Sequence, residues 1–196
     1  MIYDVVVTGS MGLVGSRLVR NFKDSGLLVA GLDIESGNDL RDEEFVINWF
    51  KNNPARSLVN AFGYNDHVST TSTKLNLEQI ELKHFDHVLN INLTTLFSVC
   101  RQFVASNLSG SIINFSSIYG LVAPDPDIYE SRDKVIAYGV SKAGVIQLTR
   151  HLSVHYAPNF RFNTIVLGVS RICRVVRLWQ ITQTKFPLAV WQILKI

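Results

Sequence analysis

Residues 8–15 read Thr8-Gly9-Ser10-Met11-Gly12-Leu13-Val14-Gly15, with a glycine at every third position behind a valine-rich apolar run. That run, Tyr3 to Val7, has the composition of a buried strand. After the turn, Leu13 to Phe22 places apolar residues at helical spacing, with Arg17 and Arg20 on the wet face. A second apolar run, Leu27 to Leu32, ends at Asp33. Strand, glycine turn, helix and strand in about thirty residues make a unit that demands parallel pairing, since the helix carries the chain back for a second parallel strand.

The pattern repeats outward from this unit. Phe45 to Phe50 reads as a helix, Ser57 to Ala61 as a strand, and Leu77 to Val104 as a long, bent helical stretch. Ser111 to Phe115 is a strand, Ala137 to Tyr156 a helix, and Phe160 to Val166 a last strand. Near-continuous apolar strands alternating with helices predict a doubly wound, mostly parallel α/β sheet covered on both faces. No linker or repeat interrupts residues 1–168, which read as a single domain, with 169–196 as an atypical tail.

Bulk properties narrow the partners. Residues 171–196 hold five Lys or Arg and no acid, leaving the first 170 with 14 basic and 16 acidic residues. So balanced a body offers nucleic acid no electrostatic footprint. Two cysteines, Cys100 and Cys173, indicate no disulfide framework and a reducing compartment. The start lacks a signal-peptide pattern, and no run reaches the ~18 apolar residues of a membrane helix, so a cytoplasmic protein is expected.

Glycines at 9, 12 and 15 permit a tight turn, close approach of backbone to a pyrophosphate, and close packing of helix on strand. A helix beginning near Gly12 would aim its free N–H groups at the phosphates, and Ser10, Met11, Leu13 and Val14 share this cofactor-binding turn. Asp33, 18 residues after Gly15, suits the adenine ribose hydroxyls and repels a 2′-phosphate, which favours NAD over NADP. Glu35 is close enough to share that role.

Only Tyr138, of six tyrosines, has a lysine four residues on, Lys142. Helical spacing puts both on one face, where an ammonium would favour the phenolate and lower a pKa normally near ~10. Ser116 and Ser117 stand just past the strand Ile112 to Phe115, at the edge where α/β sheets bind ligands.

Together these residues resemble the short-chain dehydrogenase/reductase family, which has a Rossmann-like fold, over about residues 2–168. Tyr138-Gly139-Val140-Ser141-Lys142 is similar to its Y-x-x-x-K motif, and Ser117 in Ile113-Asn114-Phe115-Ser116-Ser117 to its catalytic serine. Asn92 falls where the family has the asparagine of a water-mediated proton relay. Asn60-Ala61-Phe62-Gly63 is similar to the N-N-A-G segment that stabilises the central sheet, with Ala61 replacing its second asparagine, and Asp39-Leu40 to an acidic–apolar pair near the adenine; the resemblance implies that Asn60, Ala61, Asp39 and Leu40 lie at the cofactor. The resemblance implies that Tyr138 exchanges the proton, Ser117 polarises a carbonyl and Lys142 lowers the tyrosine's pKa. It also implies a small-molecule substrate and a homodimer or homotetramer through the helices holding Leu89 to Phe103 and Val145 to Leu152.

Some features point elsewhere. The G-x-x-G-x-x-G spacing and Ser116-Ser117-Ile118-Tyr119-Gly120 are similar to the branch acting on nucleotide sugars, so an epimerase or dehydratase is an alternative. Ala123-Pro124-Asp125 and Ile128-Tyr129-Glu130 resemble bacterial members of surface-polysaccharide or flagellar-glycan synthesis, suggesting a sugar-derived substrate. Arg161-Phe162-Asn163-Thr164-Ile165-Val166-Leu167-Gly168 is similar to R-V-N-x-I-x-P-G with Leu167 replacing proline; beyond it the motif likeness stops. The family's substrate-covering helix and closing strand are not legible there. The abrupt change suggests a frameshifted or spliced end, or a basic amphipathic surface helix, although Pro187 interrupts any such helix. A non-catalytic nucleotide-binding remnant is the reading from another class. The pairs His84/His87 and His151/His155 are expected at helix surfaces, with no metal site, and Cys100 in the core.

Overall fold

The computed structural model describes residues 1–66, 76–125 and 135–168, and the backbone of 192–194. The Ile128-Tyr129-Glu130 stretch lies outside the described residues, as does the tail from Val169 onward apart from 192–194.

Strands β1 (Val5–Thr8), β2 (Val29–Leu32), β3 (Ser57–Asn60), β4 (Gly110–Ser117) and β5 (Phe160–Leu167) form a parallel sheet in the order β2-β1-β3-β4-β5. A three-residue strand, β6 (Gln192–Leu194), runs antiparallel along β5. The helices are α1 (Gly15–Asp24), α2 (Glu43–Asn52), α3 (Leu82–Leu89), α4 (Thr95–Ala105) and α5 (Ile136–Tyr156).

Alternation along the strands sorts the core into two layers. Val6, Leu58, Ile112 and Phe162 point to one face, where Val46 and Phe50 of α2, Val99 and Phe103 of α4, and Val145 of α5 close over them. Val5, Val7 and Val59 point to the other, against Leu18, Val19 and Phe22 of α1. Phe50 and Phe103 are fully buried and meet edge to face at 6.0 Å, each worth about 2–3 kcal/mol in burial.

The expected helix over 77–104 is divided. A short 3₁₀ turn (Leu77–Gln79) precedes α3, and a π-type turn (Asn90–Thr94) joins α3 to α4. Two further expectations shift. Helix α1 begins at Gly15 rather than near Gly12, because Gly9 to Gly12 form a separate turn closed by the Gly12 N–H to Gly9 carbonyl bond. Ser116 and Ser117 are the last two residues of β4 rather than beyond it, paired with Val166 and Leu167.

The register sets one polar level across the sheet. Thr8, Asn60, Asn114 and Thr164 are successive partners on β1, β3, β4 and β5, two residues beyond the apolar layer. Thr8 Oγ1 donates to Asn60 Oδ1 (2.9 Å), Asn60 Nδ2 to Asn114 Oδ1 (2.8 Å), and Asn114 Nδ2 to Thr149 Oγ1 on α5 (3.0 Å). All four groups in this chain are buried, so each bond spares an otherwise costly desolvated partner.

Candidate active site

At the carboxyl edge of β1 the chain turns through Gly9, whose φ of 68° only glycine adopts cheaply. A side-chain carbon there would lie 2.5 Å from the Phe62 nitrogen, and one on Gly15 would lie 2.0 Å from the Gly9 carbonyl oxygen. The glycines thus let the turn fold against the end of β3 and the start of α1. Ser10 packs against Gly31, while Met11 and Leu13 are exposed and Val14 caps α1 half-buried.

Asp33, at the end of β2, is buried. One carboxylate oxygen accepts from the Met11 N–H (2.8 Å), the other from the Glu35 N–H (3.1 Å). The acid is thereby locked beside the glycine turn. Beyond it opens a cleft of ≈ 320 Å³ lined by Gly9, Gly12, Asp33, Asp39, Leu40, Ala61, Phe62, Gly63 and Tyr64 among others. Its size and its glycine-built floor fit one half of a dinucleotide.

Asp39 is engaged by Arg41, whose Nη2 approaches to 2.6 Å and whose Nε and backbone N–H also donate to it. Those hydrogen bonds hold the Asp39 carboxyl below its ordinary range. Leu40 belongs to the core as well as to the cleft. Asn60, expected near the cofactor, turns its amide into the polar level beneath the sheet, and Ala61 lines the cleft instead.

Gly63 and Tyr64 join this cleft to the second half of the site. Asn92, buried within the π-type turn, accepts the Tyr64 N–H at Oδ1 (2.6 Å) and donates from Nδ2 to the Tyr64 carbonyl (2.9 Å). A carbon placed on Gly63 would be 3.3 Å from both Asn92 Oδ1 and Lys142 Nζ. Lys142 is buried, donates to the Phe115 carbonyl (3.1 Å), and holds its ammonium 5.8 Å from the centre of the Tyr138 ring. Burial pushes Lys142 down to about 8.

Ser117 lies beside Tyr138, where it works to lower the phenol's pKa, and its Oγ accepts the Tyr119 N–H (3.3 Å). Serine, tyrosine and lysine therefore converge from β4 and α5 where the sequence pattern sets them. Their electrostatics differ from expectation. Tyr138 is raised above its ordinary value, first by burial, with Ser117 opposing and Tyr119 adding to the rise. The expected pull of Lys142 is missing because Lys142, pushed down to about 8, has lost its charge before the phenol titrates.

Tyr64 and Arg41 are contributors that motif reading passes over, since nothing in their residue types marks them. The histidine pairs sit at helix surfaces: His84 Nε2 approaches Asp66 Oδ2 at 2.7 Å, and the rings of His84 and His87 meet Tyr64. Cys100 is core, its thiol pushed up to about 12 by burial. Among the described residues no helix is long and apolar enough to cross a membrane.

The sequence matches the family described as Enoyl-(Acyl carrier protein) reductase over residues 19–182. It is 31% identical to the "Probable galactose dehydrogenase" of Rhizobium meliloti over 89% of this chain and 74% of that one. It is 30% identical to the 3beta-hydroxysteroid dehydrogenase 1 of Eggerthella lenta over 76% of this chain, spanning about half (54%) of that relative's length. A short-chain dehydrogenase from Leptospira borgpetersenii with bound NAD+ superposes with TM-score 0.78 at 25% identity, covering 96% of this chain and 80% of its own. With the parallel sheet, the glycine turn and the Ser–Tyr–Lys grouping already in view, these likenesses decide the matter: the chain belongs to the short-chain dehydrogenase/reductase family of NAD(P)-dependent oxidoreductases.

Proposed function

We propose that the chain is an NAD(H)-dependent dehydrogenase that interconverts a hydroxyl and a carbonyl on a sugar-derived substrate, using Ser117, Tyr138, Lys142 and Asn92. The observation that carries this reading is the convergence of Ser117, at the sheet's carboxyl edge, with Tyr138 and Lys142 of α5, the ammonium 5.8 Å from the centre of the tyrosine ring. Ser117 orients the substrate oxygen, and Tyr138 hands over or takes up its proton. Lys142 and Asn92, facing each other over Gly63, hold the water through which that proton moves onward. The dinucleotide, when bound, supplies or accepts the hydride.

Preference for NAD over NADP rests on the Asp33 carboxylate, fixed at the end of β2 where a 2′-phosphate would meet negative charge. The L. borgpetersenii structure and an NAD+-bound xylitol dehydrogenase, both 25% identical, hold NAD+. The sugar assignment draws on the galactose dehydrogenase relative and on a D-arabinitol 2-dehydrogenase of Candida tropicalis, 30% identical over 58% of this chain. A homodimer or homotetramer would bury Phe97 of α4 with Val140 and Val154 of α5, all exposed in the single chain.

The test is titration with NADH and NADPH by fluorescence transfer from tryptophan, then NAD+ turnover on a panel of aldoses and polyols. Tighter NADH binding, turnover on the panel and its loss in Tyr138→Phe are expected. Turnover unchanged in Tyr138→Phe would sink the mechanism. Cofactor retained through purification without net NADH formation would replace it by the epimerase reading.

A further inference from the structure

Asn92 and Tyr138 lie on different elements, and one hydroxyl joins them. Ser141 is fully buried one turn along α5. Its Oγ donates to the Tyr138 carbonyl at 2.7 Å, the local back-bond a helical serine can make. With its proton so committed, the same oxygen accepts from Asn92 Nδ2 at 3.0 Å.

The hydrogen-bond account of the Asn92 amide is then closed on its donor side. One N–H goes to the Tyr64 carbonyl and the other to Ser141, while Oδ1 receives the Tyr64 N–H. Tyr64 alone determines which end of the amide is oxygen, because an N–H cannot donate to an NH₂ group. Ser141 adds a tie to the first two turns of α5, which present Tyr138 and Lys142. What it holds is the face of Oδ1 turned toward Lys142 Nζ across Gly63.

We infer that Ser141 is a positioning residue: its hydroxyl fixes the Asn92 amide against the backbone of Tyr138 and so sets the gap between Asn92 Oδ1 and Lys142 Nζ. That this gap serves catalysis rests on the function proposed above; the placement itself does not. Alanine at 141 is smaller and helix-compatible, so it removes the acceptor without a clash.

The decisive measurement is hydrogen exchange of the Asn92 side-chain amide in ¹⁵N-labelled protein, its signals identified by their loss in Asn92→Ala. Both protons are expected to exchange slowly in the parent protein. In Ser141→Ala one of them should exchange about tenfold faster, the worth of one buried hydrogen bond. Slow exchange of both protons in folded Ser141→Ala overturns the inference. Should Ser141→Ala fail to bind NADH, Ser141→Cys, similar in size but a weak acceptor, is read by the same exchange.

Turnover on the sugar panel adds a second arm. Asn92→Ala/Ser141→Ala should be no slower than Asn92→Ala alone, since Ser141 acts through Asn92. Multiplying losses would overturn that route. If instead Tyr138→Phe turns over like the parent, the catalytic reading fails while the exchange result stands.

Discussion

Lys142 Nζ and Asn92 Oδ1 flank the same bare face of Gly63, each 3.3 Å from the place where a side-chain carbon would sit. A bridging oxygen fits between a donor and an acceptor at such distances. Gly63→Ala puts a methyl group there instead, at a position where no left-handed backbone angle forbids it. The expected result is a folded protein whose kcat falls about 10- to 100-fold, the size of a disabled acid–base contribution. Comparing kcat with NADH affinity checks this, and an affinity loss as large as the rate loss would refute it.

Lys142 makes stability depend on pH. Its ammonium titrates at about 8 in the folded chain and near ~10.4 unfolded. Below about 8 both states are charged, and burial costs the fold about 3 kcal/mol. Between those values the unfolded chain holds a proton that the folded chain has lost, so stability rises with pH across the window. Lys142→Met should therefore melt about 5–10 °C higher at neutral pH and lose the rise between about 8 and 10. Calorimetric melting over pH decides it.

Asp33→Asn removes the charge while keeping the acceptor beside Met11. NADH affinity should fall severalfold and NADPH affinity rise, shifting the ratio by roughly tenfold, or about 1.4 kcal/mol. Paired titrations read the ratio directly.

Asn60→Ala breaks the polar level at its centre, leaving the Thr8 hydroxyl and one acceptor site of Asn114 without their buried partner. A stability loss of about 2–4 kcal/mol is expected, measured by urea unfolding. Cofactor affinity should change little in the protein that remains folded.

The parallel strands and the shared face of Tyr138 and Lys142 were legible in the sequence because each rests on local spacing: a run, a turn, a helical interval of four; Ser117 came from the likeness of its strand to the family's. What was not legible depends on contacts between distant segments. The family likeness set Asn60 both in the central sheet and at the cofactor; the register with Thr8 and Asn114 shows its amide engaged in the sheet. The rise in Tyr138 pKa follows from burial under surrounding elements, which a motif does not report. Gly63 and Ser141 were visible as letters, but their work appears only once α5 and the π-type turn lie side by side.

The π-type turn at Asn90–Thr94 has a consequence for the whole second half of the sheet's cover. An α-helix advances about 100° per residue. Winding these same residues as a plain α turn would rotate everything after it by roughly that angle. Leu96, Val99, Cys100 and Phe103 would swing out of the core, and Asn92 would lose its bearing on Tyr64. Exposed positions nearby tolerate exchange of one side chain for another, but the winding here sets a phase. A chain whose residues 90–94 took the tighter α winding could keep every motif quoted above and still not assemble the site.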